Sequence, residues 1–491
     1  MKKLFLLVAL ALVVMSCEQA QDFIDTKGHG LVFLEGEMKA YFPDKGDTKN
    51  YKFNADLAWS AEASADWVEV NPTSGPAGEN KIQIKVDKNK SEERRTGYVD
   101  ITLSNEQSYR IELEQLAAGE SLDDIIDPAT SIPNNEIWYT TTDGEVLTLN
   151  EGAVFNVEIV SNTYINGKGV IKFSGDVTEI GDESFANCTT LSSISIPASI
   201  ATMGSGAFYG CENIHAVYIF DLAAWCIVDF VLPDLTSNPL CYGANFYLKG
   251  ELVTNLVIPG GITEIRNNTF NGCQSVTNLT IPNSITTIGD AAFCDCSSLT
   301  SVTIPDSVTT IGGSAFAFCS SLTSVTIPDG VTTIGEGAFY ECISLTSVTI
   351  PDSVTIIRYA TFAFCSSLTS VSIPDSVTSI GDCAFYECTS LTSVTIPDSV
   401  TTIGEYAFCG CASLSSIVIG ANVQAIGLCA FASCFSLTEI YCKSTTPPAV
   451  VSWMFEHNSG LVIYVPTESV EAYKSAEYWS GYANAIVGYD F

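Results

Sequence analysis

From Leu299 onward, apolar residues fall at Leu299, Val302 and Ile304, then at Val308 and Ile311, then at Ala315, Phe316 and Cys319, with Thr300, Ser301 and Thr303 left between the first three. The alternation over Ser301 to Ile304 predicts a short strand buried on one face. Pro305 and Asp306 turn the chain out of it, Val308 and Ile311 form a second inward segment, and Gly312 permits a bend before Phe316 and Cys319 close the unit. The pattern then returns almost letter for letter. Phe185, Phe208, Phe270, Phe293, Phe316, Phe339, Phe362, Phe385, Phe408 and Phe431 are each followed three positions later by Cys, and apart from one break after Cys211 the interval is 23. A unit this short buries its apolar side only against copies of itself, so the period predicts a solenoid. At about 4.8 Å per coil, a dozen strands make a curved rod of about 55 Å.

Residues 30–117 follow a different rule. Period-two alternation at Ile82, Ile84 and Val86, at Val99, Ile101 and Leu103, and at Ile111 and Leu113, with turn residues between, predicts a small antiparallel sandwich of the immunoglobulin-like kind. Residues 118–135 are acidic with two prolines and read as a linker. The fold class is therefore mainly β: a sandwich, then a solenoid over residues 169–442, flanked by an N-terminal cap at 136–168 and a C-terminal cap at 443–491. Ile171, Phe173, Val177 and Ile180 read as a degenerate first repeat.

Charge and leader narrow the setting. The chain has 56 acidic against 21 basic residues, a net charge of -35, and between Asn267 and Cys442 Arg358 is the only basic residue against 13 acidic ones. Such a surface repels phosphate backbones and excludes nucleic acid as a partner. Residues 1–17 carry Lys2 and Lys3, an apolar run from Leu4 to Val14, and Val14-Met15-Ser16-Cys17, which resembles a bacterial lipobox. Cleavage before Cys17 would leave a lipidated N-terminus, so the expected location is the outer membrane, held by the lipid and facing the cell surface.

Two resemblances follow from these residues. Trp59, Trp67, the Pro72-Ser74-Gly75 turn, Arg95-Thr96-Gly97 and Gln115 resemble the BACON domain, which implies a glycan-binding module or a spacer. IPDSVTTIG, AFxxC and the 23-residue period together resemble the BspA-like leucine-rich repeat family over about 169–442, and the segment from Leu461 is similar to that family's C-terminal cap. This resemblance implies adhesion to host extracellular-matrix or mucosal glycoproteins, to glycans, or to other bacteria.

The candidate chemistry is sparse. The Cys column reads as buried free thiols, because equivalent side chains on stacked coils run parallel and do not converge as a disulfide needs. Cys226 and Cys241 lie outside the register and are the disulfide candidates. Asp352, Asp375 and Asp398, one per coil, are candidates for calcium, set against a plain turn role. Ser307, Ser353, Ser376 and Ser399 sit in Asp-Ser-Val, which resembles the O-glycosylation signal of Bacteroides-type exported proteins; a serine there also suits local backbone bonding. The break at 217–258 adds 16 residues and several aromatics. Trp225, Tyr242, Phe246 and Tyr247 from it, with Thr300, Ser301 and Thr303 of the strand face, are the candidate binding residues. Three scattered histidines, no G-x-S-x-G and no H-E-x-x-H give catalysis no foothold, and no cofactor is implied. The expected function is a surface lipoprotein adhesin. The alternatives are a glycan-binding accessory of a polysaccharide-uptake system, or a structural surface rod with no ligand.

Overall fold

The computed structural model describes residues 31–116 and 132–491 apart from 36–38, 43–44, 92, 166, 232–234 and 452. The leader, Cys17 and most of the linker lie outside the described residues. The chain divides into two compact units, Met1–Asp127 and Pro128–Phe491.

In the first unit a four-stranded and a five-stranded sheet face each other. Gly78–Val86 lies between Asp47–Ala55 and Val68–Asn71, all antiparallel. Arg95–Leu103 lies between Trp59–Ala63 and Ser108–Gln115. The alternating residues point inward as the pattern requires, and Ile82, Ile84, Val99, Ile101 and Ile111 are fully buried in one core.

The second unit stacks coils. Each contributes a strand such as Ser301–Thr303 to one parallel ladder and a two-residue strand such as Thr310–Ile311 to another. Partners are the residues 23 positions apart: Ser301, Val302 and Thr303 lie beside Ser324, Val325 and Thr326, and Thr310 beside Thr333. Threonine hydroxyls reinforce the stacking; Thr323 donates to the Thr300 carbonyl at 3.1 Å and Thr309 to that of Thr286 at 3.2 Å. The coil closes through two left-handed residues four apart, Ser314 (φ 52°) and Phe318 (φ 61°), so the segment between them folds inward. Its phenylalanine stacks on the next: Phe316, Phe339 and Phe362 lie with ring centroids 5.6 and 5.5 Å apart, nearly parallel. Beside that column a second ring series, Phe318, Tyr340, Phe364 and Tyr386, runs edge to face. It exists because FAFC and FYEC alternate, making a 46-residue double period (twice 23) over these coils.

One glycine per coil is fixed by close approach. A Cβ on Gly312 would sit 2.5 Å from the Asp290 amide nitrogen, and one on Gly335 2.3 Å from that of Gly313. Two coils carry Arg266 and Arg358 there instead, and each stands immediately after the first strand of a ladder: Glu264–Ile265 opens one, Ile356–Ile357 the next. A Cβ at this position in the glycine coils would collide with the preceding coil, and the ladder restarts at the two coils that carry one. Both arginines are followed three residues later by threonine where other coils have alanine, and the Thr269 and Thr361 hydroxyls donate to the Arg266 and Arg358 carbonyls at 2.8 and 2.9 Å.

The ends differ from the spacing-based reading. Lys168–Phe173 runs antiparallel to Glu136–Thr141, which in turn lies antiparallel to the first coil strand, Leu191–Ile196. Ile171 and Phe173 thus belong to a capping hairpin with Ile159–Ile165, because a first coil has no predecessor to cover its edge. At the other end a further coil lies within 443–461: Phe455 stacks on Phe431 at 5.8 Å, and Ala449–Val450 pairs with Ala425–Ile426. The final strand, Ile486–Tyr489, follows the cap helix Val470–Ser475 and pairs with Val462–Pro466.

Candidate binding surface

Outward residues of the coil strands form two rows. Ser301, Ser324, Ser347, Ser370 and Ser393 make one, and Thr303, Thr326, Thr349, Ser372 and Thr395 the other; all are exposed while the residue between each pair points into the core. No outward position on these strands carries a charge. Of the candidate residues here, Ser301 and Thr303 present free hydroxyls, whereas the Thr300 hydroxyl donates to the Thr277 carbonyl at 3.3 Å.

The insert does not add the aromatic contact surface expected of it. Trp225 and Phe246 are 2% and 0% exposed, and the Trp225 indole N–H donates to the Thr269 carbonyl at 2.9 Å. Their rings meet at 5.6 Å, and Phe246 meets Phe270 at 6.0 Å. The insert interrupts the phenylalanine column between Phe208 and Phe270, and these side chains fill the gap, so Trp225 and Phe246 are core residues. Tyr242 is half-buried, its hydroxyl accepting the Gly210 N–H at 2.8 Å, and burial pushes its pKa up. Tyr247 alone of the four sits on the outward face, stacked on Tyr218 at 4.7 Å. A matching pair, Tyr441 and Tyr464 at 4.6 Å, lies on that face toward the C-terminal end, and Tyr489 packs edge-on against both. Sequence reasoning missed this pair; the signal was tyrosine in the Thr303 register, in EIYC and VIYV.

The Asp-Ser-Val serines are half-buried, and each hydroxyl donates to the preceding coil: Ser307 to the Ile285 carbonyl at 2.6 Å, Ser376 to Val354 and Ser399 to Val377 at 2.7 Å, and Ser353 to Val331. These bonds give the serine a packing role reaching 22 residues back rather than a local turn role. Asp352, Asp375 and Asp398 are exposed, and among the described residues no three His, Cys, Asp or Glu side chains gather into a cation site. Asp398 instead accepts the Ala421 N–H at 2.9 Å and lies 3.7 Å from the Lys443 ammonium.

The cysteine column is a ladder of thiol donors. Cys319, Cys342 and Cys365 donate to the Phe293, Phe316 and Phe339 carbonyls at 3.1 to 3.2 Å. In the last coil Asn458 takes the cysteine's place and its amide donates to the Phe431 carbonyl at 2.8 Å. Cys226, one of the two disulfide candidates, is a buried thiol in no disulfide. Burial pushes the Cys365 and Cys434 thiols up to about 12. In the folded protein at pH 8, a maleimide is therefore expected to label the half-buried Cys241 and Cys383 first and Cys409, which burial pushes up to about 11, slowly, with the other described thiols reacting only after denaturation. Mass mapping checks this, and rapid native labelling of Cys319 or Cys342 would contradict the packing.

The two sandwich tryptophans have no free stacking face. Trp59 is 4% exposed and packs edge-on against Phe53, while the Arg95 guanidinium lies 4.3 Å over the Trp67 ring.

The BspA type leucine rich repeat model matches in six copies over residues 161–222, 243–369 and 355–476. The chain belongs to the BspA-type leucine-rich repeat family. The viral BACON domain model matches residues 45–118. Among solved structures, a leucine-rich cell surface protein from Faecalibacterium prausnitzii is 25% identical, over 76% of this chain and 95% of that one, with a TM-score of 0.38. A leucine-rich repeat protein from Bacteroides ovatus is 23% identical over 70% and 99%, TM-score 0.30. The pneumococcal vaccine antigen PcpA is 18% identical over 71% and 100%, TM-score 0.43. No curated protein matches the chain. Membership of the BspA-type family supports a repeat-based binding or structural surface role.

Proposed function

We propose that this protein is a surface-displayed lipoprotein adhesin, anchored through Cys17 in the outer membrane, whose coil strands engage host or bacterial glycoproteins. The observation that carries the reading is the double row of exposed hydroxyls, two per coil in register over five consecutive strands, none of which is used to hold the fold. Uncharged donors and acceptors on a strongly acidic chain suit partners dense in hydroxyl and amide groups. Each coil contributes weakly, so affinity grows with the number of coils engaged. The tyrosine pairs at either end of this face add flat apolar area where hydroxyls alone give little.

The test is binding of the full chain to immobilised mucin and matrix glycoproteins. Replacing Thr303, Thr326 and Thr349 together by Lys changes only exposed positions, and binding is expected to fall at least tenfold with the melting temperature unchanged. Undiminished binding by the triple variant would move recognition off this face. Protease shaving of intact cells tests the location separately: the array is cleaved from outside if it is displayed, and protected until the outer membrane is opened if it is not.

A further inference from the structure

We propose that the C-terminal cap holds a second ligand site, away from the strand face, that takes an organic cation: an aromatic-walled cleft with Trp453 and Tyr478 as walls and Glu456 as its counter-charge. The cleft encloses about 400 Å³ between the last coil, which gives Trp453, Met454 and Glu456, and the cap, which gives Tyr478, Gly481 and Tyr482. That size suits a small group and not a polymer. Met454 is buried, and Tyr482 rests edge-on against Phe455 at 5.4 Å.

Three observations separate this cleft from ordinary packing. Trp453 and Tyr478 are 61% and 45% exposed, and among the described residues neither ring packs against another ring. Both residues are left-handed, with φ of 64° and 62°. The coil position that Trp453 occupies holds Asn268, Ala291, Ser314, Gly337, Ala360, Cys383, Tyr406 and Cys429 in other coils, all smaller than tryptophan and, apart from Tyr406, not aromatic; Tyr406 is half-buried where Trp453 is exposed. A tryptophan there adds strain and gains little burial, so the fold alone does not account for it. The decisive comparison is with the other tryptophans. Trp59, Trp225 and Trp479 are buried. The remaining two carry a cation of their own: Arg95 lies 4.3 Å over Trp67, and the Lys168 ammonium 3.1 Å over Trp138. Trp453 has none among the described residues, and no Lys or Arg lines its cleft.

The chemistry of the lining points the same way. Aromatic faces attract a cation within about 6 Å of the ring centre. The Glu456 carboxylate adds direct attraction; among the described residues its basic neighbour is His457, at 4.0 Å, which pairs with it as an ion only when protonated. The net charge of -35 draws cations toward the whole chain and repels anionic ligands. The ligand class is a soft, weakly hydrated cation, either a quaternary ammonium or the guanidinium of a partner's arginine. Above Gly481 a Cβ would meet nothing within 4 Å, which leaves the mouth open.

The experiment titrates the full chain with tetramethylammonium, choline, arginine methyl ester and, as a neutral counterpart, methyl glucoside, following tryptophan fluorescence. Saturable quenching by at least one cation is expected, weakening as salt is raised and untouched by the glucoside. Preference for choline over the arginine ester identifies the ammonium source, and the reverse identifies a partner side chain. Trp453→Ala is expected to abolish the signal, and Glu456→Gln to weaken binding at least tenfold. Gly481→Leu fills the mouth from an open position, so it is expected to block binding with the melting curve unchanged. Binding of the glucoside in place of the cations, or cation binding that survives both Trp453→Ala and Gly481→Leu, overturns the proposal. The Thr303, Thr326 and Thr349 variant is expected to bind the cation normally, so this site and the strand face fail or stand separately.

Discussion

Raising the pH through about 10 is expected to unfold the repeat array in one steep step, and the cysteine column is the cause. Buried thiols hold their protons: Cys211, Cys273, Cys365 and Cys434 are pushed up to about 12 from an ordinary 9.0, and Cys296, Cys319, Cys342, Cys388 and Cys411 are also raised well above it, in every case chiefly by desolvation. The sign follows from proton counting. Below pH 9 folded and unfolded chains both keep these protons, and the thiols contribute no pH dependence. Above it the unfolded chain releases them and the folded chain does not, so stability falls by about 1.4 kcal/mol per thiol for each further pH unit. Nine thiols acting together lower it by roughly 12 kcal/mol per unit, comparable with the whole stability of an ordinary domain. Circular dichroism against pH measures the midpoint. The variant Cys319→Ala, Cys342→Ala separates this cause from general alkaline weakening: it loses packing and is less stable at pH 7, yet its transition is expected to be shallower with pH. An unchanged slope would remove the thiols from the account.

The coil itself was legible because its packing is local in sequence. Val302, Ile304, Phe316 and Cys319 recur at one interval, and a residue that recurs at that interval must meet its own copy in the next coil. Partners across coils were harder to read. The Ser307 hydroxyl suggests a turn or a modification until the chain is stacked, when the Ile285 carbonyl lies beside it. Aromatic residues misled where composition says nothing of direction. Trp225 and Phe246 look like contact residues in a long insert, yet they stand where the phenylalanine column is interrupted and a core must be filled. Trp67 looks available until Arg95, 28 residues on and beyond three strands, is found on its face. Trp453 passed unnoticed for the opposite reason: its coil departs from the 23-residue spacing and carries Asn458 in place of the cysteine, so the segment read as a cap, and its turn position shows only once φ is known.

Two neighbouring glycines are expected to respond in opposite ways to the same substitution. Gly312→Ala places a methyl group 2.5 Å from the Asp290 amide nitrogen and 2.5 Å from the Gly289 carbonyl carbon. These are backbone atoms of the preceding coil, which no rotamer change can move aside, so the coils must part. A loss of about 3 kcal/mol is expected, at the upper end for overpacking. Gly313→Ala meets nothing nearer than the Glu336 carbonyl oxygen at 3.4 Å and has an ordinary φ, so it restricts only the unfolded chain and is expected to stabilise by about 0.4–1 kcal/mol. Urea midpoints of the two variants decide the matter, and equal midpoints would show that coil spacing is not set at this position. The native chain already shows the alternative outcome. At Arg358 the side chain is accepted, the ladder ends at Thr333–Ile334 and restarts at Ile356–Ile357, and Thr361 supplies a hydroxyl to the Arg358 carbonyl. Amide exchange should therefore report, for Gly312→Ala, a new weak joint beside Thr310–Ile311 while the coils on either side stay protected, because in a stacked array a disrupted interface is felt mainly by its immediate neighbours.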